Sequence, residues 1–573
     1  MPTFSDLKRN LRKDYSGFTP LKIAILCDSA SQLFVQAIKG YAYELGINPE
    51  IFEADYNQID LQVFNRKSEL YAFNPEFIVI FQSTPKLLDN FWKSASTDKI
   101  AFAEKQLNYV ENLVLSISEC SSARILYFNF YELNEGVFGN FSNKTAVSFI
   151  YQIRKINLGL MDLTNRLQKL SIIDLSVLHA MSGDAEVHDP VIYTNTDIVF
   201  NLDFLPVIAK NTLDVIRSLL GKFNKCLILD LDNTLWGGII GDDGMEGIQI
   251  GELGIGKAFC RLQNWIKQLK ERGVILAVCS KNEEGVAKEP FEKHPNMVLR
   301  LEDISVFVAN WATKVDNIRH IRSILNIGFD SMVFVDDNVF EREMVKTHLP
   351  EVTVPQLPAD PVDYLSFLQS LNLFETSSYT QEDVLRTQQY REEAKRTEFQ
   401  KIFDKEDDFL KSLDMVSEVS AFTRFDAPRI AQLSQRSNQF NLRTVRFSEE
   451  EIIKFIDAPG YLTFTFKLDD RFGNHGLISL IILEKKRNSS LFINTWIMSC
   501  RVLNRGMEQF VLQTICEEGR KNGFNKITGE YIPTNKNSIV TDHYAKLGFL
   551  FRDGLWELNL DTFVRKNVFI SMK

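Results

Sequence analysis

The chain has 573 residues, of which 45% are hydrophobic and 24% charged, which is the composition of a globular protein with about three to four domains. The formal net charge of −10, from 65 basic and 75 acidic residues, argues against attraction to the phosphate backbone of nucleic acids. The N-terminus lacks the apolar core of a signal peptide, and no apolar run approaches the roughly 20 residues that cross a bilayer. We therefore expect a cytoplasmic protein with no nucleic-acid partner and no membrane partner.

The first 200 residues alternate between apolar, strand-like runs and segments with helical periodicity. An apolar run at Leu21–Cys27 leads into a helix-like stretch at Gln32–Leu45. Further strands are predicted at Phe77–Phe81, Arg124–Phe128 and Ser171–Asp174. This alternation predicts a parallel sheet with crossover helices.

A second series of apolar runs begins near residue 226 and again alternates with amphipathic stretches. Its predicted strands are Cys226–Leu229, Val274–Cys279, Met297–Leu301 and Met332–Val335. The pattern predicts a second α/β unit, in which the carboxyl ends of the strands are the expected place for a ligand.

From about Ser378 to Leu413 the sequence is highly charged with sparse, helically spaced apolar residues, which predicts a solvated connecting helix. The remaining segments predict a mixed α+β domain with strands at Tyr461–Phe466, Gly476–Leu483, Leu491–Met498 and Lys526–Gly529 and a helix at Arg505–Gly519. The predicted boundaries are 1–205 and 206–375 for two α/β domains, 376–413 for the connecting helix and 414–573 for the α+β domain.

The segment Asp230-Leu-Asp-Asn-Thr234 directly follows the predicted strand Cys226–Leu229. Residues two apart in an extended chain point to the same side, so Asp230 and Asp232 can face one phosphoryl group. A carboxylate can attack phosphorus, and a second carboxyl can protonate the leaving oxygen and later activate water. The segment therefore predicts Asp230 as a nucleophile, Asp232 as an acid/base and Thr234 as a donor to phosphoryl oxygens.

Later polar residues fall at the ends of the other predicted strands or the start of the next helix. Ser280, Lys281 and Asn282 follow one strand and can bind phosphoryl oxygens, and Lys314 supplies a cation that offsets repulsion between anions. Asp336 and Asp337 follow the strand Met332–Val335. Carboxylate oxygens are the ligands that Mg²⁺ needs beside a phosphate, so we predict a metal site formed by Asp230, Asp232, Asp336 and Asp337.

These four elements, in this order, resemble the motifs of the haloacid dehalogenase (HAD) superfamily of phosphatases. Three longer strings resemble its FkbH-like branch, in subfamily IIIC: DLDNTLWGGIIGDDG at Asp230–Gly244, VCSKNEE at Val278–Glu284 and FVDDNVFERE at Phe334–Glu343. An isolated DxD can be an acidic turn, but the other three motifs argue against that interpretation. The resemblance implies an α/β multidomain protein with an SGNH-hydrolase-like α/β domain, a HAD-like Rossmannoid α/β domain and a GNAT-like α+β domain.

The resemblance also implies a function. Members of the branch dephosphorylate 1,3-bisphosphoglycerate and load the glyceryl group on an acyl carrier protein through a cysteine thioester, a role that Cys279 would take here. A strand cysteine is also a common small core residue. The alternatives are a simple phosphomonoesterase of a small metabolite and a GNAT-type acyltransferase with a mainly structural HAD-like domain.

In the third domain, the segment Ser499–Glu508 resembles the acyl-CoA loop of N-acetyltransferases. That likeness implies that Arg501 and Gly506 bind a phosphate of phosphopantetheine or acetyl-CoA, that Asn537 contacts the cofactor arm and that Tyr544 is a general acid. Asn504 replaces the first glycine of the loop, which hinders close approach of a cofactor. Docking of a carrier protein and acetyl transfer therefore both remain open.

Two further regions carry polar strings of less specific meaning. Ser29 follows a strand as the nucleophile of SGNH hydrolases does, but the expected Asp-x-x-His is missing, so a catalytically degenerate domain with Ser29 as a helix cap is predicted. The strings Arg436–Asn441 and Asp470–His475 match the same branch and are also typical of turns and caps.

Overall fold

The computed structural model describes residues 1–437, 439–534 and 537–573. The chain divides into two compact units, residues 1–217 and 218–573. None of the described helices is both long enough and apolar enough to cross a membrane.

The first unit is built on a parallel sheet with the strand order β2-β1-β3-β4-β5, which confirms the predicted alternation. The strands are β1 Thr19–Cys27, β2 Ile47–Glu53, β3 Phe77–Phe81, β4 Arg124–Phe128 and β5 Leu170–Ile173. The helices are α1 Phe4–Asn10, α2 Gln32–Glu44, α3 Ile59–Phe64, α4 Glu69–Phe73, α5 Thr84–Lys93, α6 Ser96–Lys99, α7 Phe102–Cys120, α8 Phe149–Arg166, α9 Leu175–Ser182, α10 Asp184–Val187, α11 Pro190–Thr196 and α12 Leu205–Leu219. Most apolar residues of the strands are buried, and β3 is buried along its whole length, as a parallel sheet covered by helices requires.

The second unit begins with another parallel sheet, in the order β8-β7-β6-β9. Its strands are β6 Cys226–Leu229, β7 Ile275–Ser280, β8 Val306–Ala309 and β9 Met332–Val335. Its helices are α13 Ile240–Gly247, α14 Gly254–Glu271, α15 Glu284–Lys293, α16 Lys314–Leu325, α17 Val339–His348 and α18 Tyr364–Ser370.

The prediction of a strand at Met297–Leu301 is wrong, because the next strand after β7 is β8, which begins at Val306. The predicted segment is instead a buried loop. The backbone N–H groups of Val298 and Leu299 donate to Oε1 of Gln263 on α14, at 3.0 and 3.1 Å. Its apolar residues were therefore a sign of packing against a helix, which an apolar run alone does not distinguish from pairing in a sheet.

The charged connecting region forms α19 Gln381–Val384, α20 Arg386–Gln400 and α21 Glu406–Ser412 rather than one solvated helix. Arg396 on α20 is 1% exposed. Its guanidinium pairs with the buried carboxylate of Asp470 at 2.8 Å and with Glu393 at 2.5 Å. The charges of α20 are thus partly internal, because buried charges require partners in the fold.

The chain ends in a mixed sheet with the order β15-β16-β14-β13-β12-β11-β10-β17, in agreement with the predicted α+β class. The strands are β10 Met415–Ser420, β11 Tyr461–Asp470, β12 Gly473–Lys486, β13 Ser490–Met498, β14 Lys526–Gly529, β15 Leu550–Arg552, β16 Leu555–Asn559 and β17 Ile570–Met572. The helices are α22 Ala427–Arg436, α23 Glu449–Asp457, α24 Met507–Lys521 and α25 His543–Lys546. The strands β13 and β14 pair in parallel only from Ser490 to Ile493 and from Lys526 to Gly529.

Candidate active site

Polar residues of the second parallel sheet meet at the edge where its strands end. Asp230 follows β6, Ser280 ends β7, Lys314 begins the helix after β8 and Asp336 follows β9. Because β6 lies between β7 and β9, and because all pairs are parallel, these strand ends lie side by side. The fold thus brings together residues that lie more than a hundred positions apart in the chain.

Lys314 lies between two buried carboxylates. Its Nζ is 2.5 Å from Oδ1 of Asp230 and 2.7 Å from Oδ2 of Asp336, and its side chain is 3% exposed. Burial by itself would lower the pKa of Lys314, but the two carboxylates raise that pKa above its ordinary value. Burial raises the pKa of Asp230; Lys314 opposes this rise and Asp336 adds to it. One lysine therefore does not neutralise the negative charge of the site.

Asp230, Asp336 and Asp337 each place a carboxylate oxygen within 4.8 Å of the others. Asp337 accepts a hydrogen bond from the hydroxyl of Thr234 at 3.4 Å, and its backbone N–H donates to the same hydroxyl at 3.1 Å. Burial and the neighbouring Asp336 raise the pKa of Asp337. Hard carboxylate oxygens at this spacing suit a divalent cation such as Mg²⁺, whose charge would stabilise all three carboxylates.

Asp232 lies outside this carboxylate cluster, although the sequence predicted it as a fourth metal ligand. Its Oδ1 accepts from the indole of Trp236 at 3.0 Å and from the backbone of Ile240 at 2.9 Å. Its Oδ2 accepts from the amide of Asn282 at 2.7 Å, and that amide also donates to Ser280 at 3.1 Å. Three donors fix the orientation of Asp232 beside the predicted phosphate-binding residues, as a positioned acid/base requires.

Lys281 has a different place from the other predicted phosphate-binding residues. Its Nζ lies 2.5 Å from Oε1 of Glu341 on α17, whose side chain is 11% exposed. The positive charge of Lys281 is thus used in an ion pair inside the domain. Thr234 and Ser280 are almost completely buried and lie at the site itself.

Cys279 is completely buried in the core on one face of the sheet. Its thiol donates to the carbonyl oxygen of Lys314 at 3.8 Å. Burial raises the pKa of the thiol to about 12; the charge of Lys314 opposes this rise, and Asp230 and Asp336 add to it. This placement is that of the small core residue, the other interpretation that the sequence left open, and it disfavours the thiolate that acyl transfer needs.

Two residues of the site were missed by the sequence analysis. Arg342 on α17 is 3% exposed and donates to the backbone carbonyls of Asp336 and Asp337, at 2.7 and 2.6 Å. It thereby holds the turn that carries two carboxylates of the cluster. Trp236 positions Asp232 in a similar way. Both lie inside the strings DLDNTLW and FVDDNVFERE, which was the signal that could have identified them.

Two of the residues predicted to bind a cofactor in the third domain, Arg501 and Gly506, have structural roles there. Arg501 is 9% exposed and donates to Oε1 of Gln389, the carbonyl of His475 and the hydroxyl of Ser499. Gly506 adopts a left-handed conformation with φ of 79° and caps α24, a conformation that favours glycine.

Asn537 and Tyr544 are both buried. Where the sequence predicts a contact to the cofactor arm, the amide of Asn537 donates to the carbonyls of Asn441 and Ile532, at 3.0 and 2.9 Å. The hydroxyl of Tyr544 has no hydrogen-bond partner among the described residues. Tyr544 is thus enclosed in the core of the domain, and both donors of Asn537 are used inside the protein.

The space beside β13, beyond its pairing with β14, contains a segment of the chain itself. Phe440 accepts at its carbonyl from the N–H of Met498, and Asn441 forms a bridge with Ile497. The carbonyl of Leu442 accepts a hydrogen bond from the backbone N–H of Ile532, which follows β14. Residues 439–441 of the string predicted at Arg436–Asn441 thus close the gap between the two strands, and Asn438 lies outside the described residues.

In the first unit, Ser29 is 2% exposed and follows β1. The neighbouring Asp28 accepts from the backbone N–H of Ser83 with both oxygens, and burial raises its pKa. His179 contacts Asp184 at 3.1 Å. The described contacts of Ser29 thus include no histidine, and the degenerate interpretation of this domain remains a prediction.

Comparison with known proteins agrees with the geometry of the site. Residues 22–217 match the family model described as FkbH, N-terminal domain. A solved structure of the N-terminal part of the protein BF1531 from Bacteroides fragilis is 49% identical, with a TM-score of 0.64. The match covers 66% of this chain and 100% of that one. This chain belongs to the BF1531 family. The BF1531 structure contains a phosphatase domain and was determined in complex with Mg.

Beyond the BF1531 family, acetyltransferases match about a quarter of this chain. The ribosomal-protein-S18-alanine N-acetyltransferase from Escherichia coli is 17% identical over 26% of this chain and 98% of its own, with a TM-score of 0.20. The spermidine/spermine N-acetyltransferase SpeG from Vibrio cholerae, in mutant forms, is 17% identical over 25% of this chain and 94% of its own, with the same TM-score. No curated protein matches the chain significantly.

Proposed function

We propose that this protein is a Mg²⁺-dependent phosphatase that acts on a small phosphorylated acid and couples dephosphorylation to loading of the acyl group on an acyl carrier protein. The observation that carries the proposal is the cluster of Asp230, Asp336 and Asp337 around the buried Lys314. Identity of 49% to a chain with a Mg-bound phosphatase domain supports the choice of metal.

Asp230, Asp336 and Asp337 would hold the Mg²⁺, which supplies charge neutralisation for the phosphoryl group and its transition state. Lys314 adds a fixed positive charge beside the nucleophile. It thereby lowers the repulsion between a carboxylate and an incoming phosphate. The hydroxyl of Ser280 lies at the same edge and is suited to bind a phosphoryl oxygen, while the amide of Asn282 donates to that hydroxyl and to Asp232.

The phosphoryl step begins with Asp230 as the nucleophile. Its carboxylate oxygen forms a bond to phosphorus while the bond from phosphorus to the ester oxygen breaks, and the leaving oxygen takes a proton from Asp232. In the second step Asp232 accepts a proton from water, whose oxygen attacks phosphorus. The bond to Asp230 then breaks and inorganic phosphate leaves.

The acyl step uses a different electrophile of a donor such as 1,3-bisphosphoglycerate. The phosphopantetheine thiolate of the carrier forms a bond to the carbonyl carbon of the acyl phosphate, and inorganic phosphate leaves with the electron pair of the broken carbon–oxygen bond. Together with hydrolysis of the phosphomonoester, this yields a glyceryl thioester and two phosphates. The carrier thiol here attacks directly, since Cys279 is buried and holds its proton strongly.

Burial of Cys279 also favours a simpler second candidate, a phosphomonoesterase without acyl transfer. One experiment separates the two. Holo acyl carrier protein is incubated with the enzyme, Mg²⁺ and 1,3-bisphosphoglycerate, and the intact mass of the carrier is measured together with released phosphate. A glyceryl mass gain supports coupled loading, whereas phosphate release without a mass gain supports the phosphomonoesterase.

The nucleophile is tested by Asp230→Asn, which keeps the shape of the side chain but cannot attack phosphorus. Phosphate release should fall by roughly 10³- to 10⁶-fold. Asp316→Asn is the matched control, because Asp316 lies two residues after Lys314 on the same helix but is exposed and bonded to Thr313. Release at the normal rate by Asp230→Asn would remove that residue from the mechanism.

A further inference from the structure

A cavity of about 370 Å³ lies at the edge of the β8-β7-β6-β9 sheet where β6 and β7 begin, opposite the edge that carries the candidate active site. Lys225 and Ile275 form this side of the cavity. Helix α20, helix α22 and the end of β13 form its other walls. Since β6 is four residues long, the cavity is separated from Asp230 by about 13 Å of strand. The cavity is therefore distinct from the candidate active site.

The charges that line the cavity are unbalanced. Among the described lining residues, five are cationic and two are carboxylates, Asp330 and Glu351, both of them exposed. The cationic side chains are those of Lys225, Arg386, Arg429, Arg436 and Arg501. A cavity of this size falls in the range of small-molecule sites, and its surplus of arginine favours an anionic ligand.

Arg436 lacks full compensation by the protein. Its side chain is 10% exposed, and its carboxylate partner, Asp383, also pairs with Arg386 at 3.1 Å. Burial, reinforced by repulsion from Arg386, lowers the pKa of Arg436 to about 9. The Nε of Arg436 is buried and has no hydrogen-bond partner among the described residues. Two guanidinium groups thus share one buried carboxylate at the wall of the cavity.

Arg501, on another wall, is buried without any carboxylate partner in the described part of the chain. Its three hydrogen bonds go to the neutral oxygens of Gln389, Ser499 and His475. A buried charge without a counterion is costly, because neutral acceptors replace only part of its hydration. An anion that enters the cavity would supply the missing counterion to Arg501 and a second negative charge beside Arg436, which shares Asp383 with Arg386.

Uncharged lining residues indicate which chemical groups the ligand carries besides its anion. Leu433, Phe440 and Met498 give the cavity an apolar part. The side-chain oxygen of Gln439, another lining residue, is buried without a donor among the described residues. An amide or hydroxyl donor on the ligand would satisfy it, since buried acceptors are normally paired.

We propose that this cavity binds a small organic anion, a carboxylate or phosphate ester that also carries a hydroxyl or amide donor and an apolar portion. The site is separate from the phosphatase centre and does not depend on the proposed reaction. Its anion lies against Arg436 and Arg501, and its donor bonds to Gln439.

Calorimetric titration of the full-length protein in EDTA tests the proposal with three probes. Pantothenate offers a carboxylate with hydroxyl and amide donors, 3-phosphoglycerate offers a carboxylate, a phosphate and a hydroxyl, and inorganic phosphate offers the anion alone. Binding of either organic anion more tightly than inorganic phosphate is expected, and the preferred one decides between the carboxylate and the phosphate ester. Absence of binding by both organic probes overturns the proposal.

Variants locate the binding. Arg501→Gln should weaken the affinity for the preferred probe by about ten- to a hundredfold, because one charge-assisted contact is lost. Arg424→Gln is the matched control, because Arg424 belongs to the same domain but is exposed and pairs with Asp457 outside the cavity. This variant should bind the probe with unchanged affinity. Ser437→Trp retains every cation and places a bulky ring at the lining of the cavity, so its affinity tests the location of the site even if Arg501→Gln fails to fold. Unchanged affinity in Ser437→Trp overturns the proposal, because binding would then lie elsewhere.

Discussion

Replacement of Lys314 by methionine should destabilise the domain that carries the candidate active site, most strongly when divalent cations are absent. The methionine fills a similar volume but leaves Asp230 and Asp336 buried beside each other without the ammonium that lies 2.5 and 2.7 Å from them. Removal of one partner from a buried ionic group costs about 3–5 kcal/mol, because the remaining charge is left uncompensated. Both carboxylates are at most 10% exposed, so water does little to screen them.

The midpoint of thermal unfolding should shift accordingly. A cost of 3–5 kcal/mol corresponds to a decrease of about 6–20 °C for a domain of this size. Added Mg²⁺ should recover much of the loss in the variant, since a ligand at a hundred times its dissociation constant stabilises the folded state by about 2.7 kcal/mol. Mg²⁺ should raise the unfolding temperature of the wild-type protein by a smaller amount, because its carboxylates already have Lys314 as a partner.

The assay is thermal unfolding followed by circular dichroism, in EDTA and across a Mg²⁺ titration. Lys267→Met is the matched control in the same domain. Lys267 pairs with Asp303 at 3.5 Å, but that carboxylate keeps Lys270 at 3.1 Å as a second partner. The reasoning is refuted if Lys314→Met unfolds in EDTA at the same temperature as Lys267→Met. It is also refuted if Mg²⁺ raises the unfolding temperature of both variants equally.

Three further changes test other parts of the structure. Arg342→Met should weaken Mg²⁺ affinity about 10- to 100-fold in a calorimetric titration, because the two hydrogen bonds that Nη1 of Arg342 donates to the carbonyls of Asp336 and Asp337 are lost; unchanged affinity would contradict this. Gly529→Ala should cost about 1–3 kcal/mol in denaturant unfolding, since its Cβ would lie 2.5 Å from ring carbon Cζ of Tyr544; an unchanged midpoint would refute the overlap. Burial lowers the pKa of His543 to about 3, so the unfolded state takes up its proton first and stability falls as pH drops below about 6.5. Hydrogen exchange of the full chain should therefore show about 2 kcal/mol less protection around His543 at pH 5 than at pH 7, and the loss should be absent in His543→Gln.

The sequence by itself determined the elements of the candidate site and their order. Apolar runs such as Cys226–Leu229 predict strands because burial on both faces of a parallel sheet requires uninterrupted apolar residues. The positions of Asp230 and Asp336 directly after such runs then place both carboxylates at one edge, since parallel strands end on the same side. These inferences rest on local periodicity and on a general property of parallel sheets, and neither needs knowledge of side-chain packing.

Only the tertiary structure decided how each polar side chain is used. Lys281 and Asp232 have residue types and positions suited to a phosphate or a metal, yet one pairs with Glu341 and the other is fixed by three donors. The same holds for Cys279, whose neighbour Ser280 lies at the site while its own thiol is enclosed in the core. The cavity beside Arg501 had no sequence signal either. Pairing and burial depend on residues that are distant in the chain and meet only when helices and sheets pack, so a local pattern contains no record of them.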